Sequence, residues 1–338
     1  MVSVRPVTPS SFEQLYPLLH WHDPALDKAM WQRIFDYSWT HDNPYCGYAL
    51  FEDSKSGESE AVGFIGFIFS DRPHPHSPNR STTNRSTKIC NLTTWVVKPQ
   101  YRGHSLSLMM PVVRMKEHTV TDLSAGDDVI KLSKRLGFKI LDDAVKILLP
   151  QGVSSSAIAG QPTKSAATSA IFMNEAIAPL LLPPTERTLF NDHRPYPNCH
   201  QLVLKVKDQI CHVVYTLNRD TELSYAHIQY INNPALFEQH QMAIRQRIIR
   251  QSGLPLIAID SRLVASLTLP FSYHLPLSSA RIYRPSPSQP SLRPEQIDNL
   301  YSELALLDFS TADSLALGWR EKALSICSPA IKKLSKCR

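Results

Sequence analysis

Residues 98–108 read KPQYRGHSLSL and lie between an extended apolar run, TTWVV, and a helix-like run, LMMPVVRM. A strand that passes through a short turn into a helix aims several free backbone N–H groups at one point, and the helix dipole adds positive potential there. An anion, above all a pyrophosphate, binds such an end. Every strand-to-helix connection has a helix start, so the pattern leaves two readings open: a phosphate cradle or an ordinary turn. Other chemistry-bearing residues are sparser. HWHD (His20, Trp21, His22, Asp23) and HPHSP (His74, His76) contain metal-ligand residue types. Third and fourth ligands do not follow at metal-site spacing, and no metal is expected. Ser278 and Ser279 lack the Gly-x-Ser-x-Gly setting of a nucleophile.

The elements that must position the turn are legible on both sides of it. SVRPV reads as a short strand. SSFEQLYPLLHW offers a serine cap followed by Phe12, Leu15, Leu18 and Leu19 at helix spacing. DPALDKAMWQRIFDYSW predicts a second helix with Met30, Ile34, Phe35 and Tyr37 on one side. GYALFED and AVGFIGFIFSD predict a hairpin, and residues 71–88 a loop. ICNLTTWVV is a strand running into the turn, and a helix follows to about His118. TVTDLSA predicts a strand, GDDVIKLSKRLGF a helix stopped at Gly137, and KILDDAVKILLP a strand pair.

Residues 151–170 are small and polar and read as a linker. Beyond it the order partly repeats. HQLVLKVKD, ICHVVYTLNRD and LSYAHIQYI predict strands, ALFEQHQMAIRQRIIRQSG a helix, and LPLIAIDSRLV another strand. Pro99 and Pro234 hold the same place in the two halves, as do TVTDLSA and PLIAIDS. After residue 270 the chain is rich in Pro and Ser, then predicts a helix over PEQIDNLYSELALLDF and a terminal helix.

The chain of 338 residues is long enough for two domains, and 43% apolar with 20% charged residues is a globular profile. Net charge is +6, without single-sign blocks, so nucleic acid is not expected as a partner. The N-terminus has no secretory signal pattern, and no run of about 18 apolar residues exists, so no membrane span is expected. Six cysteines without a Cys-x-x-Cys pair argue against a zinc ribbon and fit a reducing compartment, hence a cytoplasmic location.

The segment WVVKPQYRGHSLSLMM resembles the central motif of the GNAT N-acetyltransferase superfamily: a strand ending in β-branched residues, then Pro-x-Tyr-Arg-Gly, then a helix start. The match covers Val96, Val97, Pro99, Tyr101, Arg102 and Gly103, and KLSKRLGF (131–138) resembles the close of the later helix in that family. The resemblance spans roughly residues 3–150, with a weaker echo in 200–264. It implies an α/β fold of two acyl-CoA N-acyltransferase-like domains, each a mixed, mostly antiparallel sheet flanked by helices. The expected boundaries are 1–150 for a domain with the acyl-CoA motif and 171–338 for a degenerate copy with a helical C-terminal extension. The implied activity is acetyl transfer from acetyl-coenzyme A to an amine by direct attack, with a catalytically inactive interaction module as the alternative. The acceptor is not named by the sequence, and a protein partner stays open.

The resemblance also implies site residues. The strands around Trp95–Val97 and Val120–Ser124 would splay, with the pantetheine along Trp95, Val96 and Val97 and the pyrophosphate at Arg102, Gly103, His104, Ser105, Leu106 and Ser107. Ser105 and Ser107 stand where the family has glycine, and Pro111 falls inside the following helix. The family's general acid, a Tyr, aligns with Ser133, and its Glu base, carried on the strand before the turn, aligns with Asn91 or Thr93. Ser133 or a water would supply the acid. Asp122, Asp127, Asp128 and His104 are the alternatives for the base, with helix N-caps the competing role of Asp127 and Asp128. In the second half no glycine follows Pro234, and Glu238 lies where phosphates would.

Overall fold

The computed structural model describes residues 1–39, 41–54, 57, 59–73, 86–150, 170–219, 224–289 and 292–307. The chain forms two compact units. The first comprises Met1–Leu141 with Arg281–Asp308, and the second takes in Asp142–Ala280. The first unit's leading stretch ends at Leu141, and the unit takes in a late segment of chain. The expected linker lies outside the described residues except for its last residue, and so does the terminal helix.

Unit 1 begins with β1 (Val2–Val7), α1 (Phe12–His22) and α2 (Lys28–Gln32). The apolar stripe of α1 is the one its spacing predicts: Phe12, Leu15, Leu18 and Leu19 are buried. Helix α2 is much shorter than its pattern. Asp27 caps it by accepting the Met30 N–H at 2.7 Å, but the chain turns after Gln32. Burial of the aromatics outweighs helix propensity there: Phe35 stacks on Phe64 at 5.6 Å and Trp39 meets Tyr301 edge-on at 4.9 Å. Strands β2 (Gly47–Asp53), β3 (Ser59–Pro73) and β4 (Ser86–Val97) form an antiparallel meander. Strands β3 and β4 extend into the expected loop, pairing Asp71 with Lys88 and Pro73 with Ser86. Helix α3 (Ser105–Arg114), β5 (Thr119–Asp122) and α4 (Asp127–Arg135) follow. Gly137, at φ +88°, closes α4 as predicted. The strand order of unit 1 is β1-β2-β3-β4-β5, with β5 parallel to β4.

Residues 139–148 form one strand, β6 (Lys139–Leu148), not a pair. It leaves unit 1 and pairs in unit 2. That unit continues with β7 (Ala170–Phe172), α5 (Ala178–Leu181), α6 (Pro184–His193), β8 (Cys199–Val206), β9 (Gln209–Asn218), β10 (Tyr225–Ile231), α7 (Pro234–Ser252) and β11 (Ile257–Asp260). Its strand order is β7-β8-β9-β10-β11-β6, antiparallel except for the β10–β11 pair. The Pro- and Ser-rich stretch hides a thirteen-residue strand, β12 (Ser272–Arg284), whose end returns to unit 1 and pairs Ile282 with Asp122 antiparallel. Among the described residues of the expected helix over 294–309, α8 (Glu303–Leu306) forms beyond a single 3-10 turn. Each unit thus has one parallel pair bridged by a helix, flanked by a strand whose chain begins in the other. Among the described residues no helix is long and apolar enough to cross a membrane.

Candidate acyl-donor site

The parallel pairing of β4 with β5 covers only Ile89–Leu92 against Thr119–Asp122. Strand β4 runs on for five residues to Val97, held on one side by β3. Among the described residues no strand pairs with the other side of 93–97. The register slips there between Phe64 and Gly66, and Thr94 adopts φ +52°. A β-branched residue at positive φ is a strained bulge, and bulges re-aim a strand beside functional sites. The close approach at the slip leaves no room for a side chain at Gly66, where a Cβ would meet Thr93 Cγ2 at 2.7 Å. Val96 is buried, while Trp95 and Val97 are half-buried along the unpaired edge.

The turn follows directly. Pro99–His104 form a 3-10 turn that leads into α3. The Tyr101 N–H donates to Lys98 O at 2.9 Å and the Ser105 N–H to Arg102 O, so these two amides are spent within the turn. No side chain caps the start of α3, whose first turn includes Leu106 and Ser107. The hydroxyl of Ser107 is turned back onto His104 O at 2.5 Å, away from a role as a cap. Arg102, Gly103 and His104 are exposed, and a Cβ added at Gly103 meets no heavy atom within 4 Å. The residues therefore offer open space and an uncapped helix start beside a free strand edge. A diphosphate and an extended amide-bearing arm fit that combination. The C-terminal end of α3 is held by Arg284 of β12, which donates to Val112 O, Val113 O at 3.2 Å and Met115 O at 2.9 Å. A guanidinium on the last carbonyls fixes the helix despite Pro111, which withholds one backbone donor.

No protein-family model and no curated protein matches the sequence. Solved structures match in fold. A GCN5-related N-acetyltransferase from Anabaena variabilis aligns with TM-score 0.51 at 10% identity, over 84% of this chain and 72% of its own. A conserved Enterococcus faecalis protein of unknown function, described as a probable N-acyltransferase, aligns with TM-score 0.50 at 10% identity, over 86% and 74%. The chain has the GNAT N-acetyltransferase fold.

Within the GNAT fold the remaining candidates separate. Ser133 is fully buried in α4, and its hydroxyl has no hydrogen-bond partner. His104 is exposed at the start of α3. Asp127 and Asp128 are not caps: Gly126 holds the N-cap position of α4, and the two carboxylates lie in its first turn, where they complement the dipole. Asp122 ends β5 at the point where β4 and β5 part. It is buried, and burial with the neighbouring Glu303 charge pushes its carboxyl up to about 7.

Glu303 is the residue that sequence reasoning missed. It comes from α8, 212 positions after the side chain it meets, and it is fully buried. Its carboxylate accepts from the Asn91 side-chain amide and from the Ser124 hydroxyl at 2.8 Å. Asn91 is oriented by Thr121, whose hydroxyl donates to Asn91 Oδ1 at 3.0 Å. Burial raises the Glu303 carboxyl, with Ser124, Asn91 and the Arg281 charge pulling the other way. Asn91 is thus bonded to a carboxylate from a segment remote in sequence. No local spacing could signal this.

A cavity of about 1100 Å³ lies elsewhere on unit 1, between α1, the β2–β3 tip and Lys98–Gln100. Its carboxylates are already engaged: Glu52 by Tyr101, Asp53 by Arg5 and Glu60 by Lys98. It touches the turn only at its first residues. Among the described residues no group of three or more His, Cys, Asp or Glu could hold a metal ion, and His74 and His76 lie outside them.

Proposed function

We propose that the chain is an acyl-coenzyme A-dependent N-acyltransferase that moves an acetyl group directly to an amine, with the donor site in unit 1. The observation that carries this reading is the early end of the β4–β5 pairing at Leu92 and Asp122, ahead of an uncapped helix start. The free edge at Trp95, Val96 and Val97 would bond the pantetheine amides as an added strand does. The amides from Gly103 to Ser107, with Arg102 and His104 alongside, would meet the diphosphate. The amine nitrogen attacks the thioester carbonyl, forming the C–N bond as the C–S bond breaks. One ammonium proton passes to a base, and a second proton from nitrogen goes to the departing thiolate.

The two units are the two copies of one plan, and unit 2 has lost the donor site. The order helix–helix–meander–helix–strand in both supports this, as does the closure of the unit 2 turn. There the Asn233 side chain caps α7 by accepting the Leu236 N–H at 3.1 Å, and the Glu238 carboxylate accepts the Thr268 N–H.

Titration calorimetry with acetyl-coenzyme A tests the reading. Saturable binding at one site per chain is expected, followed by thioester consumption when primary amines are added. Absence of heat at millimolar ligand overturns it, and binding without turnover selects the inactive binding module instead.

A further inference from the structure

Two buried carboxyls lie at the mouth of the β4–β5 gap. Glu303 and Asp122 face mainly neutral donors: Asn91, the Ser124 hydroxyl and backbone amides. The charge that acts favourably on Glu303 is Arg281, whose Nη1 donates to Leu123 O at 3.0 Å. Burying ionisable groups without a tight counter-charge costs stability. Such costs concentrate where a carboxyl must exchange a proton.

The geometry supplies a route. Ser124 is exposed, lies two residues past the end of β5, and touches both acids: its N–H donates to Asp122 Oδ1 at 3.4 Å and its hydroxyl to Glu303 Oε1 at 2.8 Å. Glu303 cannot meet a substrate itself, because it is fully buried. A hydroxyl that bonds it from the exposed side can.

We infer that Ser124 and Glu303 form the proton-accepting relay of the acyl transfer, with Asn91 and Asp122 fixing its geometry and charge. The ammonium proton passes to Ser124 Oγ as the Ser124 hydroxyl proton passes to Glu303. The Glu303 carboxylate becomes a carboxylic acid, Ser124 is regenerated neutral, and the proton returns to solvent after the amide has formed. Ser124 is the catalytic residue of this pair, and Glu303 acts through it. The inference rests on the acyltransferase reading above.

The test uses the full chain, acetyl-coenzyme A as donor and a panel of putrescine, lysine and a peptide with a free N-terminus as acceptors. Glu303→Gln is expected to lower kcat about 100-fold, to leave the acetyl-coenzyme A Kd within about twofold, and to flatten the acid limb of the pH–rate profile. Ser124→Ala changes an exposed side chain and so folds whether or not Glu303→Gln does. It is expected to lose kcat at least tenfold, and Ser124→Thr, which keeps the hydroxyl, is expected to restore most of it. Infrared difference spectra against pH give a readout independent of turnover: a carboxylic C=O band is expected to titrate above the ordinary carboxyl range in the wild type and to be lost in Glu303→Gln. Wild-type kcat and pH profile in both variants, or bound acetyl-coenzyme A with no turnover over the whole panel, overturns the relay and leaves donor binding standing. Failure of the wild type to bind acetyl-coenzyme A removes the donor site itself.

Discussion

The Lys98–Ser107 turn of unit 1 and the Asn232–Leu236 turn of unit 2 hold the same place, each joining the first strand of a parallel pair to the bridging helix. They differ in what satisfies the helix start. In unit 2, Asn233 caps α7, Asn232 Oδ1 accepts the His212 N–H at 2.7 Å, and Glu238 is tied down by Thr268. In unit 1 no side chain caps α3, and the glycine before it faces open space. The acids at the ends of β5 and β11 differ in the same sense. Asp260 is met by His227 at 3.0 Å and by Arg262, which also reaches Asp142 at 3.4 Å through Nη1 and 2.8 Å through its backbone N–H. Asp122 accepts backbone N–H groups of Ser124 and Ala125, and the charge that acts on it is that of another acid, Glu303. At this turn unit 2 closes its helix start with its own side chains, whereas the helix start of unit 1 has no side-chain cap.

Removing the neutralising cation from unit 2 should have the largest effect. Arg262→Ala leaves Asp142 and Asp260 buried together without the guanidinium that bonds both. A loss of about 3–5 kcal/mol is expected, as for other broken buried ion pairs, read as a fall in the urea midpoint. A loss under 1 kcal/mol would mean that the two networks are not different in kind. The next effect is opposite in sign and sits in unit 1. The Asp122 carboxyl is raised in the folded chain, to about 7. The folded state therefore holds a proton that the unfolded state releases, and stability falls as pH rises from about 4 to about 7. Asp122→Asn keeps an acceptor for the Ser124 N–H and removes that penalty. It should match the wild type below pH 4 and exceed it at pH 8 by about 2 kcal/mol, allowing for relaxation around the buried charge. Thermal unfolding across that pH range measures both.

The difference between the units was only half legible in the chain. Local patterns carried what local forces decide: the buried stripe Phe12, Leu15, Leu18 and Leu19, the stop at Gly137, and the strand–turn–helix around Gly103. Non-local packing decided the rest. The aromatics after α2 read as a helix face but are buried by turning, because Phe64 and Tyr301 stand where they can stack. The exchange of β6 and β12 between units is invisible to periodicity, since a strand looks alike whichever sheet it joins. The same exchange brings Arg284 to the end of α3 and leads the chain on to Glu303, so the part of the site most remote in sequence is the part that spacing could not supply.

A smaller effect should separate ligand from fold at the open turn. Gly103 has no positive φ, and a side chain there would project into space unoccupied by the protein. Gly103→Val should leave the urea midpoint within about 0.5 kcal/mol, as surface substitutions do. It should also weaken acetyl-coenzyme A about tenfold, because the branched side chain occupies the approach to the amides. Equal affinity in the variant would place the donor elsewhere than at this turn.

The smallest expected effect asks how much of the contrast lies in one side chain. Asn233→Ala removes the cap of α7 and exposes the Leu236 N–H, for a loss of about 1 kcal/mol. If the cap alone kept unit 2 from binding, this variant would take up a second acetyl-coenzyme A, and the calorimetric stoichiometry would move from one toward two. One per chain is the expected result. Glu238 still brings negative charge to the same end of α7, and its bond to the Thr268 N–H holds it there. A diphosphate would have to approach that carboxylate, and like charges at close range in a partly desolvated site repel by more than one uncapped amide returns. The closure of unit 2 is thus set by a charge as well as a cap, and Asn233→Ala combined with Glu238→Gln is the variant in which a second site should first become measurable.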